Sequence, residues 1–91
     1  MSDDSIVSVR VTGRVQGVWY RGWTRDQAER LGLSGWVRNE PDGSVAALLA
    51  GPAPQVARML ELMRDGPRDA RVDAVTSTPA DAAPPRGFRV A

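Results

Sequence analysis

Val7, Val9 and Val11 alternate with Ser8, Arg10 and Thr12, the period of a half-buried strand over Ile6 to Thr12. From Arg21 or Gly22 to Leu31 the period becomes helical, with Trp23, Gln27, Ala28 and Leu31 available for one face. Thr24 with Gln27 reads as a capping box that starts this helix near Arg25, although the turn before it can also be helical. Gly32 is its stop. Ser34 to Asn39 reads as a second strand, with Trp36 and Val37 an adjacent pair of which one must face the core. Pro41-Asp42-Gly43-Ser44 then signals a tight turn, and Val45 to Leu49 returns as the other arm of a hairpin. Gly51-Pro52 breaks that strand. Val56, Met59, Leu60 and Met63 fall at i, i+3, i+4 and i+7, marking a core-facing helix stripe that Gly66-Pro67 ends. Arg71 to Thr76 is a fourth strand in which Val72 and Val75 break strict alternation, as a bulge would. Pro79 to Gly87 reads as a surface loop and Phe88-Arg89-Val90 as a short closing strand.

The order β-α-β-β-α-β plus a short fifth strand predicts an α+β, ferredoxin-like sandwich. Its expected form is an antiparallel sheet of four strands plus the fifth, with two helices on one face. Residues 1–5 are expected to be a flexible tail and residues 6–91 a single domain, which suits a length of 91 residues. In such a sheet the third strand lies between the first and second, and right-handed crossovers run those two the same way. The end of the first strand, the loop after it, the start of the first helix and Asn39 therefore share one edge.

Composition narrows the chemistry. The chain has no cysteine, which excludes a disulfide framework and any thiolate nucleophile or metal ligand. There is also no histidine, and all 12 basic residues are arginine. Arginine is a poor general base because it does not give up its proton under working conditions. Phosphohistidine, cysteine-phosphatase, Ser-His and lysine Schiff-base mechanisms are thereby removed together. A formal charge of +1 argues against bulk nucleic-acid binding. No apolar run approaches the roughly 18 to 20 residues of a membrane span, and the first residues do not read as a signal peptide. A cytoplasmic location is expected.

At the shared edge stands Gly13-Arg14-Val15-Gln16-Gly17-Val18-Trp19-Tyr20-Arg21, a connector almost free of ordinary turn residues. Gly13 and Gly17 allow successive N–H groups to point inward as a nest for an anion. The helix that follows adds the positive end of its dipole. Arg21 at that terminus can meet two phosphate oxygens with its planar fork, and Asn39 can orient a water. The same residues also fit an ordinary turn with a solvated arginine and a strand-end asparagine.

This stretch resembles the signature of the acylphosphatase family, G-x-V-Q-G-V-x-F-R. Gly35-Trp36-Val37-Arg38-Asn39 with Asp42-Gly43-Ser44-Val45 is similar to that family's second motif, G-W-V-x-N followed by a D-G-x-V hairpin. The similarity runs to Phe88-Arg89-Val90. It implies that Arg21 binds the substrate's phosphate and that Asn39 positions the attacking water, these two being the catalytic residues. It further implies that the backbone amides of Arg14, Val15, Gln16, Gly17, Val18, Trp19 and Tyr20 hold the phosphate. Tyr20 departs from the family's phenylalanine and brings a hydroxyl that needs a partner. Val90-Ala91 replaces the aromatic with which the family commonly ends.

The implied reaction converts an acyl phosphate to a carboxylate and inorganic phosphate. A carboxylate leaving group has a proton affinity near that of Asp or Glu (pKa about 4), so no strong general acid is needed. A loose phosphoryl-transfer transition state spreads charge over equatorial oxygens, which suits a ring of amides and one arginine. No metal and no cofactor are implied, and phosphate or sulfate is expected to occupy the site. Phosphomonoesters, with poorer leaving groups, are expected to be turned over little.

Thr24 is read as a helix cap, with a supporting contact behind the Asn39 region as the sharper alternative. Arg14 is read as a solvated charge that aids anion capture. Trp19 either walls the pocket or contacts the acyl group. Asp65, Asp69 and Asp73 are read as solvated loop carboxylates rather than a metal site. A non-catalytic acyl- or carbamoyl-phosphate-binding module is the rival reading, disfavoured by a free-standing chain of this length. An RNA-recognition domain shares the element order, but its base-stacking aromatics are missing from the first and third strands. A monomer is expected, with no nucleic-acid or membrane partner.

Overall fold

A computed structural model describes residues 4–91. The chain forms β1 (Asp4–Arg14), α1 (Tyr20–Arg30), β2 (Ser34–Asn39), β3 (Val45–Pro52), α2 (Ala53–Asp65), β4 (Arg71–Pro79) and β5 (Phe88–Val90). The strands make one sheet in the order β4-β1-β3-β2-β5. β3 is antiparallel to both β1 and β2, so those two run the same way on either side of it. The sheet is not wholly antiparallel: β5 joins the free edge of β2 in parallel, with Gly35 opposite Phe88 and Val37 opposite Val90. A return loop across residues 80–87 supplies the length that a parallel connection needs.

Alternation does the sorting between faces. Val9 and Val11 of β1, Val37 of β2 and Val45, Ala47 and Leu49 of β3 are all buried on the helix side. α1 covers β2 and β5, while α2 covers β4, β3 and β1. From α2 the stripe Val56, Met59 and Met63 enters this core, and Leu60 packs at its border. Truncating a side chain as enclosed as Leu49 or Met59 costs about 2–5 kcal/mol. Trp36 points to the other face, where the Arg38 guanidinium lies 4.6 Å from its ring centroid.

Several boundaries differ from the sequence reading, each for a visible reason. β1 begins at Asp4, because Asp4 and Ser5 still pair with Pro52 and Gly51; residues 1–3 of the expected tail lie outside the described residues. Those same pairs carry β3 through Gly51 to Pro52, so the Gly-Pro dipeptide forms the end of the strand rather than breaking it after Leu49. The irregularity in β4 is real: Thr12 faces Ala74 but Gly13 faces Val72, leaving Asp73 as the extra residue. Gly13 is what permits it. A Cβ there would sit 2.2 Å from the Arg71 carbonyl oxygen, at a φ of +122°.

α1 starts at Tyr20, and its buried stripe is Tyr20, Thr24 and Ala28. Thr24 is therefore not the helix cap. It lies inside the helix, fully buried, and its Oγ1 has no hydrogen-bond partner among the described residues. Trp19 occupies the cap position with no side-chain capping bond, and the stripe includes polar names that a hydrophobicity pattern skips.

The extra hydroxyl of Tyr20 finds its partner in α2, donating to the Met63 carbonyl at 2.7 Å. That carbonyl belongs to the last turn of α2, and the residue four positions on is Pro67, which has no N–H to offer. Burial also pushes the Tyr20 phenol well above its ordinary pKa. Tyr20 is thus a neutral clamp between the two helices.

Candidate active site

The site is built at the edge where β1 ends. Val11 and Asn39 both stand opposite Val45, one on each side of β3, so Asn39 sits level with the point where β1 leaves β3, three residues before β1 ends at Arg14. Counting by two from Gly35 and Val37 places Asn39 on the helix-facing side of β2. β1 runs through Gly13 and Arg14, and the connector proper is Val15 to Trp19. Gly17 adopts φ 73° and Trp19 φ 66° within it. For a bulky residue like Trp19 the left-handed region costs roughly 1–2 kcal/mol.

Trp23 N–H donates to the Trp19 carbonyl at 3.0 Å, the first bond of α1. The amides of Tyr20, Arg21 and Gly22 precede it and so have no acceptor within the helix. All three residues line a cleft of about 280 Å³, together with Val15, Gly17, Trp19, Arg25, Asn39 and Val90. Arg21 comes from the first turn of α1 and Asn39 from the end of β2, and they meet in this one cleft.

Of the seven residues whose amides were expected to hold phosphate, Val15, Gly17, Trp19 and Tyr20 line the cleft. Arg14, Gln16 and Val18 do not. Arg14 is exposed in β1 opposite Arg71, and Val18 packs against the core. Gln16 turns its carboxamide the other way: Nε2 donates to the Glu40 carbonyl at 2.8 Å and to the Ser44 carbonyl at 2.9 Å. Those carbonyls belong to the β2–β3 turn, which immediately follows Asn39. The turn is itself closed by Asp42, whose Oδ1 accepts from the Ser44 N–H at 2.9 Å and from Ser44 Oγ at 2.5 Å. These bonds, with Arg10 beside it, hold the Asp42 carboxyl below its ordinary pKa.

Arg21 is oriented from the far end of the chain. Its Nη1 donates to the carbonyl of Ala91 at 3.3 Å, while the Ala91 N–H donates to the Val37 carbonyl at 2.8 Å. Arg25 was not singled out from the sequence, although its place one turn after Arg21 on the same helix is a legible signal. Val90 was missed too, because only the pairing of β5 with β2 brings it beside Val37. Gly13 was assigned to the anion nest; its conformational freedom instead serves the β4 bulge.

Two groups have no candidate here. The cleft lining contains no His, Cys, Asp, Glu or Lys. Among the described residues no group of three or more His, Cys, Asp or Glu side chains is placed to hold a metal ion. No helix among them is long and apolar enough to cross a membrane.

Comparison with known proteins identifies relatives and structural neighbours of this chain. An acylphosphatase of Rhizobium meliloti strain 1021 is 60% identical over 83 residues, spanning 90% of this chain and 87% of its own. One from Rhizobium etli is 52% identical over 92 residues and spans 99% and 98%. Among solved structures, an acylphosphatase from Coxiella burnetii superposes with a TM-score of 0.93 at 32% identity, covering 98% of this chain and 94% of that one. The acylphosphatase family model matches residues 7–90, and the chain belongs to the acylphosphatase family.

Proposed function

We propose that this acylphosphatase hydrolyses the carboxyl–phosphate bond of small acyl phosphates, in the cytoplasm, by metal-free attack of a water that the protein positions. Arg21 grips two equatorial oxygens of the phosphoryl group with its fork. The amides of the connector and of the first turn of α1 take the remaining charge. Asn39 holds the water in line with the breaking bond, and that water gives its proton to the phosphate itself. The leaving carboxylate departs without a proton, since its conjugate acid is as strong as an Asp side chain. Thr24 supports the helix behind Arg21 and does not touch substrate. Inorganic phosphate, the product, or sulfate binds the same cleft, and the protein acts as a monomer.

The observation that carries this reading is the meeting of Arg21 and Asn39 in one cleft, with Arg25 as its other charged residue and no carboxylate, histidine or lysine in its lining. A guanidinium and a carboxamide with no titrating partner suit a reaction that needs charge stabilisation and alignment rather than a strong acid or base. The deciding measurement is phosphate release from acetyl phosphate and 4-nitrophenyl phosphate, both in EDTA. Turnover of the first with little of the second is expected. No turnover of acetyl phosphate, with phosphate still bound, would leave only a binding module.

A further inference from the structure

Two large hydrophobic side chains are exposed among the described residues, Trp19 at 63% and Val90 at 38%. Both line the cleft that holds Arg21 and Asn39. They reach it from opposite parts of the chain, one from the connector before α1 and the other from the last strand. A phosphoryl group has no use for either, since its oxygens are met by N–H donors. Single exposed apolar residues need no explanation, but two bordering the cleft that holds Arg21 and Asn39 make a mouth. The indole is also seated. A Cβ on Gly22 would lie 2.2 Å from Trp19 Nε1 and 2.8 Å from Cδ1, so the ring packs on Gly22 where any side chain would displace it. One side of the indole rests on the helix and the rest faces water.

We propose that this mouth is an acyl-group subsite selective for aromatic acyl phosphates, in which the planar acyl ring stacks on the Trp19 indole beside Val90. This rests on the phosphoryl half of the substrate occupying the Arg21–Asn39 cleft. A methyl group leaving that cleft covers little of the indole, whereas a phenyl ring covers an aromatic face and gains an offset-stacking geometry. Trp19 then sets specificity, and the donors deeper in the cleft set catalysis.

The test uses benzylphosphonate and methylphosphonate, which carry the same anion and are not hydrolysed. Their affinities are measured by competition against phosphate on the full chain. The wild-type protein is expected to bind benzylphosphonate about tenfold more tightly, with Trp19→Ala erasing the preference and Trp19→Phe keeping most of it. Gly22→Ala, which displaces the ring without removing it and favours the helix, is expected to reduce the preference as well. In turnover, the ratio of kcat/KM for benzoyl over acetyl phosphate should fall about tenfold in Trp19→Ala, through the benzoyl KM. Equal wild-type affinities, or an unchanged preference in Trp19→Ala, would overturn the subsite. Selective phosphonate binding without hydrolysis of either acyl phosphate would uphold the subsite and instead reject the hydrolase reading.

Discussion

Gln16 and Ser44 are 28 positions apart, yet the Gln16 carboxamide donates to the Ser44 carbonyl at 2.9 Å and to the nearby Glu40 carbonyl at 2.8 Å. One side chain thereby ties the connector after β1 to the turn after β2, and so fixes the distance between the two halves of the site. Replacing Gln16 with Ala should lower stability by about 0.5–1.5 kcal/mol, since the two carbonyls each lose one donor while keeping a backbone one, Glu40 N–H on Ser44 and Gly43 N–H on Glu40. It should also cost activity through both KM and kcat, because the amides and Asn39 lose their common register. Thermal melts alongside steady-state kinetics check this; a stability loss with intact kinetics would show that the tie is not what aligns the site.

Arg21 and Asn39 should fail in different ways. Arg21→Ala is expected to lose both activity and inhibition by inorganic phosphate. Asn39→Ala should lose on the order of a hundredfold or more in kcat while phosphate inhibition persists, as suits a residue that aims water rather than holding the anion. Wild-type rates in Asn39→Ala would remove it from the mechanism.

Tyr20→Phe removes the only described donor to a carbonyl that Pro67 leaves unpartnered at the end of α2. A cost of about 1–3 kcal/mol is expected, read as a drop in Tm. For a domain of this size that corresponds to a Tm shift of roughly 4–8 °C per kcal/mol. Gly13→Ala should be worse. Its Cβ would meet the Arg71 carbonyl and the Asp73 nitrogen at 2.2 and 2.7 Å, both backbone atoms that cannot swing aside. A loss of about 3 kcal/mol or more is expected in denaturant titration.

The pH dependence separates stability from chemistry. Asp42 has its folded pKa lowered by the Ser44 hydrogen bonds and by Arg10, so its contribution is present above its ordinary value of 3.8. It is lost as pH falls through the lower, folded value. Asp42→Asn should therefore flatten part of the acid limb of stability below about pH 4, measured by denaturant midpoints at several pH values. Catalysis should behave differently. With no histidine in the chain and no carboxylate lining the cleft, kcat/KM should stay level from about pH 5 to 8 once substrate ionisation is corrected. A bell-shaped profile in that window would reveal an enzyme group that the cleft does not contain.

Much of this protein was legible in its residues alone. The element order followed from periodicity, because β1 and α2 each bury one face and repeat at 2 and 3.6 residues. The placement of Arg21 and Asn39 at one edge followed from topology, since two parallel strands flanking a third must end on the same side. What the chain could not declare were contacts between segments whose local patterns are silent about each other. Thr24 looks like a cap because its neighbours suit one, but Trp19 starts the helix a full turn earlier and Tyr20 is held by Met63. Gly13 looks like an anion loop until β4 supplies a bulge against it, and Val90 is only the end of a short closing strand until β5 lies along β2 and brings it to the cleft. Periodicity reports which face of an element meets the core; only packing decides which atoms of another element wait there.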